Sequence, residues 1–344
     1  MTYEEFKQYI KDHIREYLSD KLKDADIQVV PTNKINKTYD ALMIKDDNSG
    51  VIPTLYINNM FEAYESGQDV DDILVTAADI YNMKTPEFET AEIFDPEYIK
   101  EHLGMRLINK EWNKEILEDV PYTDLGDFAI TYHVEIDSKD GACSYMLHNN
   151  HIEELGFTEG ELHDIALDTC AEKHPVVIKD ISAVLTEMMG DDFLPEDPDM
   201  NNTGMLVVTN EDKMYGASVM AYENTLDDIA ELVGGDFVIL PSSLHEIIVL
   251  KDDGSMDYGY MKDMVEEVNA TQVEQRDRLS DSVYHYDSTD RVMEKCEDYV
   301  MRKKLENTRG MSINDQLAAG DKAKEKDIKA PGRETLVKSN DIDI

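Results

Sequence analysis

Residues 205–250, "MLVVTNEDKMYGASVMAYENTLDDIAELVGGDFVILPSSLHEIIVL", decide how the chain is read. "MLVVT" and "YGASVMAY" read as strands, "TLDDIAELVGG" as an amphipathic helix with a glycine stop, and "DFVIL" and "EIIVL" as two further strands. Two strands, a helix and two strands imply an α+β unit built on an antiparallel sheet. The short polar crest "PSSLHE" (241–246) between the last two apolar runs is expected to be the turn of a hairpin.

The same grammar extends outward. Thr2 and Glu5 have capping-box spacing, and Phe6, Ile10, Ile14, Tyr17 and Leu18 recur at helical intervals behind them. "IQVVP", "DALMIK" and "VIPTLYI" read as strands, with "DDNSG" (46–50) as a turn. A short helix is expected to stop at Gly67, and "DVDDILVTAADIY" to form the next. An acidic connector surrounds Pro86, and Asp95-Pro96 starts a further helix. "MRLINKEWNKEILEDVPY" combines a strand and a helix ending before Pro121. "DFAITYHVEI" and "ACSYMLH" form a hairpin about Gly141. Thr158 and Glu161 cap a helix that stops at Pro175, followed by the strand "PVVIKDI", the helix "SAVLTEMMG" and an acidic loop, 191–204. "MDYGYMKDMVEEVNA" and residues 290–305 have helical spacing, whereas 307–344 are too polar to bury a core.

The expected architecture is α+β, with mixed, largely antiparallel sheets and packed helices in two lobes. Residues 1–120 form the first lobe, 121–275 the second with the "PSSLHE" hairpin, 276–306 a helix, and 307–344 a disordered tail.

Charge narrows the function. The 344-residue chain has 75 acidic and 33 basic side chains, a formal net of −42. Residues 301–344 hold 10 basic and 8 acidic groups, leaving a net of −44 in residues 1–300. The acidity therefore belongs to the part that folds. Such a surface repels phosphate backbones and anionic membranes, so direct nucleic-acid and membrane binding are not expected. A basic partner protein would be attracted at long range. The three cysteines, Cys143, Cys170 and Cys296, have neither zinc nor disulfide spacing. The start of the sequence lacks a signal-peptide pattern and no apolar run reaches ~20 residues, so a cytoplasmic setting is expected.

Ser242, Ser243, His245 and Glu246 supply the residue types of a nucleophile, a base and an orienting acid. On an extended segment 243 and 245 share a face and 246 points away, and no Gly-x-Ser-x-Gly elbow is present. "HEIIV" begins like a zinc-protease helix, but Val249 stands where the second histidine belongs. His148, His151 and His163 are the candidate metal ligands, against the simpler reading of ordinary hydrogen-bonded histidines. "DPDMN" (197–201) starts like a calcium loop that fails at Asn202 and Val208. No nucleotide-binding glycine motif occurs, and no cofactor is expected.

"PTLYINNMFEAYESG", "RLINKEWNKEILEDVPYTDLGDFAITYHVEI", "MLVVTN", "YGASVMAY" and above all "LPSSLHE" resemble a family of Firmicutes gut bacteria, domain of unknown function 5688. The resemblance spans roughly residues 1–270. It implies a bacterial cytoplasmic protein, with members encoded near mobile elements, and it brings no activity or catalytic residue with it. The reading that follows is a non-enzymatic binding or regulatory module engaging a basic partner, with nucleic-acid mimicry as one form. The alternative is a hydrolase using Ser242 or Ser243 with His245 and an acid. Oligomeric state is not encoded in any of these patterns.

Overall fold

The computed structural model describes residues 1–45, 53–83, 94–136, 143–189 and 204–310. The expected turn at 46–50, the connector around Pro86, the turn at 137–141, the loop over 191–203 and the tail from 311 onward lie outside the described residues. The fold is α+β, with antiparallel sheets.

Helix α1 (Tyr3–Tyr17) opens with the Thr2/Glu5 capping box and buries Phe6, Ile10 and Ile14. It packs with α2 (Ile57–Glu65) and α3 (Val70–Asn82) against the meander β1 (Asp26–Lys34), β2 (Lys37–Lys45) and β3 (Thr54–Tyr56). Phe6, Leu42, Ile57, Leu74 and Tyr81 belong to this first core, which draws its buried residues from 6–81. Among the described residues of the predicted strand "VIPTLYI", 54–56 form the strand, and Ile57, expected to continue it, begins α2.

A second core takes residues from 99 to 286. Helix α4 (Pro96–His102), capped by Asp95, leads into β4 (Leu103–Asn109). After α5 (Lys114–Leu117), strands β5 (Tyr122–Leu125), β6 (Phe128–Ile136) and β7 (Cys143–Met146) complete a four-stranded sheet centred on β6. Helices α6 (Asn149–Leu155) and α7 (Glu159–Lys173) follow, the latter behind its Thr158/Glu161 capping box.

A six-stranded sheet takes the rest: β8 (Val176–Asp180), β9 (Met205–Asn210), β10 (Phe237–Leu240), β11 (Ile247–Lys251), β12 (Tyr284–Asp287) and β13 (Val292–Lys295), in the order β13-β12-β10-β11-β9-β8. Helices α8 (Ile181–Met189), α9 (Thr225–Val233) and α10 (Tyr258–Thr271) are the connections. A separate unit, residues 295–344, carries helix α11 (Cys296–Gly310). Among the described residues no helix is long and apolar enough to cross a membrane.

Two further expectations are corrected. "YGASVMAY" is not a strand: Gly216–Ala221 is a 3₁₀ helix entered through Tyr215, whose φ of 52° is left-handed. Gly216 lies so close to β9 that a Cβ there would stand 2.1 Å from Thr209 Oγ1 and 2.3 Å from the His245 carbonyl. Packing at that position overrides the strand propensity of Val219 and Tyr222. The helix expected across 276–306 forms only from Cys296, because Tyr284–Asp287 completes the edge of β10, pairing Phe237 with Tyr286.

Candidate functional site

β6 is buried on both faces. Phe128, Ile130, Tyr132 and Val134 point into the second core. The alternate residues Thr131 and His133 face the other way. They lie opposite Arg106 and Gly104 of β4, and Glu135 lies opposite Ser144 of β7. This second face carries a buried arginine, 8 % exposed, and a buried histidine, 2 % exposed. Gly104 is required there: a Cβ would stand 2.5 Å from His133 Nε2.

The covering element is the loop after β9. The Asn210 side chain holds it by bonding Met214 in both directions, at 2.9 and 3.3 Å. Tyr215 is thereby placed with its ring under the Arg106 guanidinium, 4.1 Å from ring centroid to carbon, and edge-on to His133. At the far end of the 3₁₀ segment the Tyr222 hydroxyl donates to the carbonyls of Cys170 and His174, closing the segment onto the end of α7.

A cavity of about 690 Å³ opens between these parts, lined among others by His133, Glu135, Ser144, His174, Tyr215 and Tyr222. Such a volume suits a small organic molecule. His174 bridges two carboxylates. Its Nδ1 pairs with Asp212, and its Nε2 lies 3.1 Å from Glu135 Oε1 but out of hydrogen-bond alignment. The Glu135 contact, reinforced by Asp212, outweighs burial and raises its pKa. Burial would raise Glu135, but its contacts with His133 and His174 prevail and hold it well below the usual carboxylate range. Burial, aided by the Arg106 charge, pushes His133 down to about 4. Burial pushes the Cys170 thiol up to about 12, so it is no thiolate nucleophile at neutral pH.

The His133 shift has a measurable sign. Below its ordinary 6.5 the unfolded chain takes up a proton that the folded chain refuses until about pH 4. Its contribution is therefore complete above that ordinary value and is lost as pH falls through the window, amounting to about 3 kcal/mol. His174 acts oppositely, stabilising at low pH and losing that contribution as pH rises through its raised value. Replacing His133 by Gln is expected to flatten the acid limb of urea midpoints between pH 7 and pH 4.5. An unchanged fall would remove His133 from the account.

The residues singled out from the sequence lie elsewhere. The 241–246 segment does join β10 to β11. Ser243 is buried, and its Oγ accepts from the His245 amide at 3.0 Å. The Ser242 carbonyl accepts from Leu279 N. His245 Nδ1 accepts from Tyr215 N at 3.2 Å, and its Nε2 lies 3.5 Å from Asp277. Among the described residues no hydrogen bond joins a serine hydroxyl of the crest to the His245 ring. Glu246 shares an open hollow of about 440 Å³ with Ser243 and His245. The crest is thus tied to the cavity through Tyr215, on which His245 stacks with ring centroids 5.8 Å apart.

His148 and His151 come together at the start of α6, with ring centroids 5.5 Å apart, while His163 bonds the Tyr132 hydroxyl. His148 Nδ1 lies 2.8 Å from Asp119. Among the described residues no group of three or more His, Cys, Asp or Glu side chains could hold a metal ion.

The sequence reading passed over Arg106, His133, Glu135, His174 and Tyr215. One signal was present: a charged or polar side chain inside the otherwise apolar runs "GMRLI" and "ITYHV". A family model described as a family of unknown function, DUF5688, matches residues 3–288. No curated protein and no solved structure matches the chain.

Proposed function

We propose that this chain, which belongs to the DUF5688 family, is a non-enzymatic binding and regulatory module that receives a small molecule in the cavity between β4, β6 and the Tyr215–Tyr222 segment. The observation that carries the reading is the state of the ionisable groups around that cavity. His174 is occupied by two carboxylates, Cys170 is held as a thiol, and His133 is held neutral by burial. These groups are committed to shaping and polarising a space, and none pairs a nucleophile with a base. The acidity of residues 1–300 supports a basic protein as the macromolecular partner, with retention that weakens as salt rises. Equal retention at low and high salt would count against that partner.

The cavity reading is tested by thermal denaturation in the presence of a panel of anionic, cationic and neutral metabolites. A ligand present at about 100 times its Kd adds about 2.7 kcal/mol and raises the midpoint by several degrees. That rise should disappear when Tyr222 is replaced by Phe together with His174 by Gln. A panel in which no compound shifts the midpoint would sink the proposal.

A further inference from the structure

Between Asn210 and Gly216 the chain makes a strained passage that lines two hollows. Lys213 and Tyr215 both have left-handed φ values, 55° and 52°, although neither is glycine. Such residues resist that conformation, so their surroundings must hold it. Met214 and Tyr215 line the cavity of about 690 Å³. Lys213 and His245 line the open hollow of about 440 Å³ beside the crest. The Asn210 side chain holds Met214. His245 holds Tyr215: the Tyr215 N–H donates to Nδ1 at 3.2 Å, and the two rings stack.

That hydrogen bond depends on the state of the imidazole. A backbone N–H can only donate, so Nδ1 must keep its lone pair and the ring hydrogen of neutral His245 belongs on Nε2. Nε2 lies 3.5 Å from Asp277 Oδ1. A second ring proton would sit on Nδ1 and set two N–H groups against each other. The imidazolium so formed has Asp277 beside it, with Glu246, Glu274 and Lys213 lining the same hollow and Arg276 3.7 Å from Asp277. The side chain is 29 % exposed, so solvent protons reach it. Histidine is also the side chain whose charge ordinarily changes between pH 5 and 8. The backbone of His245 cannot follow its ring, because its N–H donates to Ser243 Oγ and its carbonyl accepts from Thr209 Oγ1. The change therefore falls on the strained Tyr215.

We propose that His245 is a proton-operated catch on the cavity. Neutral, it holds Tyr215 in the cavity wall; protonated, it releases the Tyr215 amide, turns to Asp277 and lowers the affinity of the cavity for its ligand. The inference rests on the binding reading above and names how that site is regulated. Release of Tyr215 changes the wall in chemistry as well as shape, since its ring leaves the Arg106 guanidinium and the edge of His133. The crest histidine thus acts on the site as a positioning residue.

The test measures amide exchange at residues 214–217 of the full chain at pH 7.5 and pH 5.5, each corrected for the intrinsic rate. Protection of the Tyr215 amide is expected to fall about tenfold at the lower pH, the equivalent of one lost hydrogen bond. His245→Asn places a non-titrating carbonyl oxygen near the position of Nδ1, so the fall should vanish. Asp277→Asn, a milder change should the first variant fail to fold, removes the carboxylate that receives the imidazolium, and release should then need a lower pH. A fall that persists in His245→Asn would assign the effect to His133 or His174 and overturn the catch. Unchanged protection in the wild type would overturn it as well, leaving the binding reading in place. Any metabolite of the panel that stabilises the protein at pH 7.5 should do so less at pH 5.5 in the wild type and equally at both in His245→Asn. Equal stabilisation at both pH values in the wild type would overturn the regulation of binding. A panel without effect at either pH would instead remove the binding reading, and with it the ligand that the catch is proposed to govern.

Discussion

Gly216→Ala is expected to destabilise the protein by about 3 kcal/mol, because the added methyl group has backbone on one side and a hydrogen-bonded hydroxyl on the other. The new Cβ would stand 2.1 Å from Thr209 Oγ1, 2.3 Å from the His245 carbonyl and 2.9 Å from Asn210 N. Those atoms cannot swing aside independently. Thr209 Oγ1 donates to the His245 carbonyl at 2.7 Å, and Val208 is paired in register with Ile247 of β11. Relief therefore requires the 3₁₀ segment to lift from β9, and Tyr215 would leave Arg106 with it. The expected result has two parts: a fall in the urea midpoint and loss of any ligand-dependent stabilisation. Gly160→Ala is the control, since a Cβ there meets nothing within 4 Å and lies in the first turn of α7. It should be neutral or stabilising by about 0.5 kcal/mol. Equal midpoints for both variants would show that Gly216 is not clamped as described.

That glycine also marks where the sequence stops being informative. Elements whose cause is local were legible: the Thr2/Glu5 and Thr158/Glu161 boxes, the Asp95-Pro96 start and the pairing of 237–240 with 248–251. The 3₁₀ segment was not. "YGASVMAY" has the side chains of a strand, and only contact with Thr209 and His245 excludes one. The candidate site failed to announce itself for a related reason. Arg106, His133, His174 and Tyr215 come from two strands, a helix end and a loop, and strand register alone sets Gly104 against His133. The "PSSLHE" crest drew attention because its polar residues are contiguous. In the structure its hydroxyl and imidazole nitrogens close a turn and hold the backbone of Tyr215.

Asn36 is expected to be the most sensitive position in the N-terminal segment, although it sits at the tip of a hairpin. It has a left-handed φ of 62° and ends the two-residue connection between Lys34 and Lys37. Its amide nitrogen donates to the carbonyls of Gln275 and Arg278, at 3.0 and 2.6 Å. Its side-chain oxygen accepts from the buried Asn113 at 2.8 Å, and its backbone N–H donates to Asn113 Oδ1 at 2.7 Å. The tip of the first core's sheet is thus pinned to Asn113 and to the 275–278 turn, which lie within the stretch of chain that supplies the second core. At about 1 kcal/mol for each of three side-chain bonds, Asn36→Gly should cost about 3 kcal/mol while keeping the backbone relaxed. Asn36→Ala should cost about 1 kcal/mol more, since alanine resists the left-handed conformation. Because the bonds join two cores, the loss should appear as uncoupling. Amide exchange in β1–β3 should accelerate while β10 and β11 remain protected. Uniform acceleration across both sheets would mean that the two cores unfold as one unit and that Asn36 contributes only to its overall stability.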